Sequence, residues 1–432
     1  MNDYETVNLG DEIYNLIKNL FPICRSITGN GVRETLEIIK KHMPITVSEI
    51  PTGAQAFDWI IPKEWNIKDA YVKNSKGEKV IDFQKNNLHI LNYSIPVNTR
   101  IELDKLKEHL YTMEEHPEWI PYVTSYYKER WGFCVSQNHL NKLAEDTYEV
   151  VIDSSLENGS LTYGELLIPG ETKEEILFST YICHPSICND NLTGTGILTF
   201  LAKDLMTRKN KYSYRFLFIP ETIGAIAWLS KNEHLVSNIK CGLVATCLGD
   251  PGGYTYQKTR KGNAFIDKLV KKVLDEEKTE YIIKDFAPYG SDERQFSSPA
   301  FNMEMGSLMR TMYACFPEYH TSADNLDFIK ADKLEESLEA YKKVVYILEN
   351  DETYMNLNPK CEPQLGRRGL YNTVGGARKT PKFSEAVFWI LNQSDGENSL
   401  LDVSIRSGID FQEIRAAADA LLEVGLLAKA DR

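Results

Sequence analysis

The sequence predicts an α/β protein in which helices cover both faces of a largely parallel central sheet. Three observations carry this. From Glu174 to about Asn350, short apolar strand candidates (ILFSTYI, YRFLFIP, GLVATCL) alternate with helix candidates at 194–209, 224–235, 262–276 and 332–350. Uninterrupted apolar strands between amphipathic helices belong to a sheet covered on both sides. Two of the helices show one apolar face each, marked by Phe265, Leu269, Val270 and Val273 and by Leu334, Leu338, Tyr341, Val345 and Leu348. Finally, each strand candidate runs into a His or a carboxylate at its carboxyl end, where such sheets bind ligands.

The other elements follow in chain order. Residues 10–43 read as a helical pair broken near Pro22 and Gly29–Gly31, with Ile13, Leu16, Ile17 and Leu20 at helical spacing. Residues 51–130 are rich in aromatics, prolines and short extended pieces, which predicts an inserted β-rich module. Beyond it, YEVVIDSSLENGSLTYGELLIPG reads as two strands of a hairpin turning at Asn158-Gly159. The core therefore comprises 1–50 and 131–352. The segment 351–380 reads as a linker, and 360–432 as a separate unit of three short helices and an extended tail, in the order of a winged helix.

Composition narrows the function. The chain has 432 residues, 42% of them hydrophobic, and a net charge of −13 from 49 Lys+Arg against 62 Asp+Glu. Such a charge repels phosphate backbones and anionic lipid surfaces. No basic segment precedes an apolar run at the start, and no stretch approaches the roughly 20 apolar residues that span a bilayer, so the expectation is a cytoplasmic protein that meets neither membrane nor nucleic acid. The C-terminal unit agrees: its third helix, Asp410–Glu423, holds four acids and one arginine, whereas a groove-reading helix needs Arg, Lys, Asn or Gln at exposed positions. Packing against protein, including a second copy of the chain, is the expected role of that helix.

The eight cysteines form no CxxC pair, and Cys183 and Cys188 read as small core residues rather than ligands. The chemistry lies in the strand ends: His184 and Asp190 after the first strand, Glu221 after the second, Asp250 after the third, and His320 in Tyr319-His320-Thr321-Ser322-Ala323-Asp324. Imidazole plus carboxylate without paired thiolates suits zinc. Glu221, which leaves an apolar strand with no adjacent Lys or Arg, suits a general base of raised pKa. Metal-assisted hydrolysis is thus the candidate reaction.

The segments His184…Asp190-Asn191-Leu192-Thr193-Gly194, Pro220-Glu221-Thr222-Ile223-Gly224, Gly290-Ser291-Asp292-Glu293-Arg294-Gln295-Phe296 and Tyr319–Asp324 occur in the order of the co-catalytic zinc aminopeptidases. The chain as a whole resembles a bacterial family of aminopeptidase-like proteins with an inserted β-rich domain and a C-terminal winged helix. The resemblance implies a three-layer α/β/α core and one or two zinc ions. Asp190 would bridge the metals, His184 and Asp250 would complete one site, and His320 would ligate the other. It also implies Glu221 as base and a non-proline cis peptide at Asp190–Asn191. Two positions depart from the pattern: Thr222 stands where a second ligand Glu is usual, and Ser186 where an Asp orients the first His. These departures predict a weaker second metal, a single zinc, or Glu221 recruited as ligand.

Asp292, Arg294, Arg310, Tyr289 and Tyr319 are the candidate substrate contacts, Arg310 reading either as a carboxylate clamp or as an exposed loop arginine. Tyr122, Tyr126, Tyr127, Trp131 and Phe133 read either as core or as one wall of a cleft. The expected activity is zinc-dependent, aminopeptidase-like hydrolysis of a small peptide or aminoacyl substrate. The alternatives are an amidase or cyclase acting on an aminoacyl or amino-sugar precursor in polysaccharide assembly, and a catalytically weak binding scaffold.

Overall fold

A computed structural model of the chain describes residues 8–370 and 381–430; the last third of the expected linker, 371–380, lies outside them. The chain divides into two compact units, Met1–Asp267 with Thr279–Glu339, and Lys268–Lys278 with Ala340–Arg432.

The first unit is built on an eight-stranded mixed sheet. Its centre is parallel: Ser213–Ile219, Glu175–Tyr181, Ile239–Ala245 and Met305–Met309 lie side by side in that order. Both flanks bring in antiparallel strands, Ser160–Ile168 and Thr46–Pro51 on one side and Tyr254–Gln257, joined by Tyr281–Lys284, on the other. The sheet is thus mixed, parallel through its centre as expected and antiparallel where the flanks join. The central strands are buried along their whole length, as their unbroken apolar sequences require. Helices of this unit form at Leu9–Leu20, Asn30–Lys40, Thr193–Met206 and Ile223–Asn232, while Phe265–Glu276 and Ala331–Asn350 each run across the division into the second unit. The first is capped by the Asn8 side chain and buries Ile13, Leu16, Ile17 and Leu20.

The insert carries a four-stranded antiparallel sheet in the order Lys79–Asp82, Glu64–Lys73, Thr147–Glu157, Val97–Glu102. Two expectations change here. Thr147–Glu157 belongs to this sheet, so the insert's strands extend past residue 131. The two strands flanking Asn158-Gly159 do not pair with each other: Thr147–Glu157 stays in the insert and Ser160–Ile168 joins the central sheet. The turn is the crossing point between sheets. Thr52 and Gly159 exchange hydrogen bonds across it, and the Ser160 amide donates to Glu64 Oε2 at 2.9 Å. A Cβ on Gly159 would lie 2.4 Å from that same oxygen, so local turn chemistry there serves a tertiary contact.

In the second unit, Thr353–Asn356 is the central strand between Asp395–Ser399 and Leu427–Lys429. Around them lie the helices Pro381–Gln393, Leu400–Ser407 and Phe411–Glu423. The unit thus starts earlier than 360, because a strand of only four residues inside the expected linker carries no readable period. Among the described residues no helix is long and apolar enough to cross a membrane.

Arg33 ties the second helix to both sheets, with Nε 2.8 Å from Glu49 Oε1 and Nη2 2.6 Å from Glu64 Oε2. The guanidinium holds the Glu64 carboxyl down at about 2, below its usual 4.5. A depressed carboxyl stabilises the fold above the unfolded value and loses that contribution as pH falls through the folded one. We therefore expect Glu64→Gln to cost about 1–2 kcal/mol at neutral pH, allowing for solvent screening of the partly exposed pair. In urea melts the deficit should shrink as pH drops from about 4.5 towards 2.

Candidate metal centre

Three parallel strands deliver their carboxyl ends to one edge, and the loops that follow turn sharply. Ser186, Thr222, Cys247 and His320 all have φ between 40° and 62°, a region that non-glycine residues seldom occupy. The Asp190–Asn191 peptide is cis, as the resemblance implied. Gly194, opening the helix Thr193–Met206, lets that turn sit against the sheet, since a Cβ there would lie 2.3 Å from the Ala245 carbonyl oxygen.

His184, Asp190 and His320 converge, each offering a ligand atom within 4.8 Å of the others. His320 Nε2 lies 3.0 Å from Asp190 Oδ2, and His184 Nε2 lies 3.9 Å from the same oxygen. Asp190 Oδ2 and His320 Nε2 are buried facing each other, with no further hydrogen-bond partner among the described residues. Two imidazoles and one carboxylate with unsatisfied donor atoms fit a cation such as zinc, with room for further ligands. Burial lowers the His184 imidazole to about 4, which keeps it neutral and ready to ligate.

The surrounding residues set the orientation of this trio. Tyr181 donates its hydroxyl to Asp190 Oδ1, leaving Oδ2 to face the imidazoles. Asp324 is fully buried and accepts the Asn189 amide at 2.6 Å and the Asp190 amide at 3.0 Å. Arg25, also fully buried, donates Nε to the His184 carbonyl at 2.8 Å. Tyr319 stacks on the His320 ring, with centroids 3.9 Å apart. The insert takes part directly, because the Tyr122 amide donates to the His320 carbonyl at 2.7 Å and Pro121 bridges to Thr321.

Glu221 stands beside the cluster, its Oε2 3.9 Å from His184 Nε2. Burial, with Asp292 and Asp190 adding like charge, raises its carboxyl well above 4.5. Asp292 accepts the Thr222 amide at 2.6 Å and is itself raised to about 7, chiefly by burial. Arg294 donates to Thr222 Oγ1 at 3.2 Å. Thr222, in place of the usual ligand Glu, is thus bonded to Asp292 and Arg294. A cavity of about 370 Å³ opens here, lined by His184, His320, Glu221 and Thr222 on one side and Tyr122, Tyr126, Tyr127 and Trp59 on the other.

Several expectations are corrected. Asp250 is not in the cluster: one of its oxygens accepts Asn189 Nδ2 at 3.0 Å and the Thr311 amide, the other the Gly252 amide and the Thr311 hydroxyl. It secures a loop. Arg310 is no clamp but a buried strut, bonded to the Gly252 carbonyl and Glu336. Tyr289 is 70% exposed and does not line the cavity, and Tyr319 braces His320 rather than facing the cavity. Of the five aromatics between Tyr122 and Phe133, Tyr122, Tyr126 and Tyr127 line the cavity, while Phe133 is core and Trp131 stacks on His109. Arg25, Tyr181 and Asp324 also shape the site, and the sequence context of the first two does not mark them for it. Only Asp324 left a signal, four residues after His320 in the same motif.

Residues 14–351 match the family model for a domain of unknown function (DUF4910), and residues 352–429 match a winged helix-turn-helix. A Clostridium acetobutylicum protein named as a candidate polysaccharide biosynthesis protein with an aminopeptidase-like domain is 60% identical over 418 residues, 97% of this chain and 96% of its own. The crystal structure of a candidate peptidase from Clostridium acetobutylicum aligns with a TM-score of 0.93 at 58% identity, covering 97% of this chain and 96% of that one. A Bacillus subtilis zinc aminopeptidase aligns at 0.57 with 11% identity, over 78% of this chain and 94% of that one, a likeness of fold.

Because Asp324 places Asp190 through two backbone amides, Asp324→Asn sets an amide NH₂ against one of those N–H donors. Zinc affinity, read by calorimetric titration, should fall about tenfold or more. Asp250→Asn, which leaves the three-residue cluster intact, should cost clearly less.

Proposed function

This chain belongs to the DUF4910 family, with an aminopeptidase-like domain and a C-terminal winged helix, and on that footing we propose that it is a zinc-dependent hydrolase of amide bonds next to a free amine. The observation that supports this reading is the meeting of ligand atoms from His184, Asp190 and His320 within 4.8 Å of one another, with the Glu221 carboxyl next to them in the lining of a cavity. Zinc held by those three side chains would supply Lewis acidity, polarising a carbonyl and lowering the pKa of water.

The chain's own groups do the rest. Glu221 accepts the proton that an attacking water gives up as its oxygen bonds to the carbonyl carbon. It returns that proton to the amine nitrogen as the C–N bond breaks. Tyr181 holds Asp190 through one oxygen and keeps the other turned to the imidazoles. Asp292 fixes the Thr222 amide and so the turn that carries Glu221. Tyr122 and Tyr126, whose hydroxyls lie 3.0 Å apart, wall off water on the insert side.

Purified protein should carry about one zinc per chain, one set of three ligands being present. Chelation should abolish hydrolysis of aminoacyl chromogenic substrates. Glu221→Gln should keep the metal and lose about 10²–10⁴-fold in kcat, whereas loss of the metal itself would make Glu221 a ligand.

We further propose that the winged helix serves protein contact. In Phe411–Glu423 the one arginine, Arg415, is paired with Asp419 and bonded to the Tyr354 hydroxyl. It is not free for a phosphate. Gel-shift titration with random duplex should show no salt-sensitive complex.

A further inference from the structure

The catalytic cavity has a neighbour. A groove of about 780 Å³ shares Trp59 with it. The helix Ile223–Asn232 links the two, since Ile223 lines the cavity and Ile226, one turn on, lines the groove.

The groove's outer lip is unusual. The strands Gln55–Ala56 and Trp59–Ile60 are joined by two residues, Phe57 and Asp58, in a tight hairpin. Phe57 sits there at φ 53°, where Asn or Gly is the ordinary occupant. The residue is 43% exposed, and Trp59 and Tyr127 are 39% and 50% exposed. The three are not loosely splayed: Trp59 meets Tyr127 edge-on at 5.5 Å, and Phe57 leans on Phe301 at 5.7 Å. Ordered aromatic faces left open to water mark a binding surface.

Polar groups between the rings decide its chemistry. Asp58, Glu233, Gln295 and Ser298 line the groove, and among the described residues none of their side chains has a bonding partner. No Lys, Arg or His lines it. The absence of cations disfavours phosphate groups. Free carboxylate, amide and hydroxyl groups beside aromatic faces match a ring that has C–H faces for stacking and equatorial hydroxyls for hydrogen bonding.

We propose that this groove binds an uncharged saccharide unit, so that the substrate reaching Glu221 is a glycan-bearing amine or amide whose sugar rests on Phe57 and Trp59. The proposal rests on the reading of the adjoining cavity as catalytic, but its test does not need catalysis. With the full chain in chelator, binding of N,N′-diacetylchitobiose and of cellobiose is followed by tryptophan fluorescence and saturation-transfer NMR. At least one of the two should bind, and Phe57→Ala and Trp59→Ala, at exposed positions that leave the melting temperature in place, should each weaken it about tenfold. No binding of either sugar, or equal binding by both variants, overturns the proposal. A wild-type dimer that the same variants convert to monomer also overturns it, because the groove would then be a self-contact. Failure of the hydrolase reading would appear in the zinc and Glu221 measurements and leave the sugar titration unaffected.

Discussion

One buried carboxylate holds the site together. Asp324 accepts two successive backbone amides, those of Asn189 and Asp190, and its own carbonyl takes the Cys188 amide. A loop held at three consecutive peptide groups has almost no freedom left, so Asp190 presents its carboxylate in one direction. That clamp comes from the segment that also carries His320. The two ligand-bearing stretches, far apart in sequence, therefore set each other's position. Neither is ordered by its own strand alone.

Around this clamp the charges are crowded. Asp190 and Glu221 lie against the imidazoles, Asp292 and Glu293 are buried next to Arg294, and desolvation raises Glu221, Asp292 and Glu293 above the ordinary carboxylate range. Uncompensated burial of several acids is costly. A divalent cation at the His184, Asp190 and His320 atoms answers that imbalance. Arg25 lies close by, but its Nε and Nη1 are turned to the carbonyls of His184 and Leu20 rather than to these carboxyls.

The central strands, the four covering helices and the strand-end residues were legible because burial on both faces leaves a plain apolar signature and because chemistry interrupts it at one edge. Short strands were not: Met305–Met309 and Thr353–Asn356 are too brief for a period to show, and their neighbours hold them in place. Among site residues, His184, Asp190, Glu221 and His320 could be read from motif order. Asp250 and Arg310 misled because charged residues at strand ends look alike whether they face a cavity or brace a loop. Arg25 and Tyr181 were invisible for a related reason. Nothing in FPICRSITG or ILFSTYI says which carbonyl or carboxylate a side chain will meet after folding. The hairpin signal at Asn158-Gly159 was a true turn with the wrong consequence, because strand partners are chosen by distant residues such as Glu64.

The backbone pairing of Tyr122 with His320, and of Pro121 with Thr321, bears on how much of the insert the site can do without. A segment that only decorated the surface could be trimmed without touching the metal centre. Here residues 121 and 122 supply part of the backbone frame of His320 and Thr321, so a truncation that reached them would loosen the histidine itself, whereas one confined to the outer strands would leave it in place.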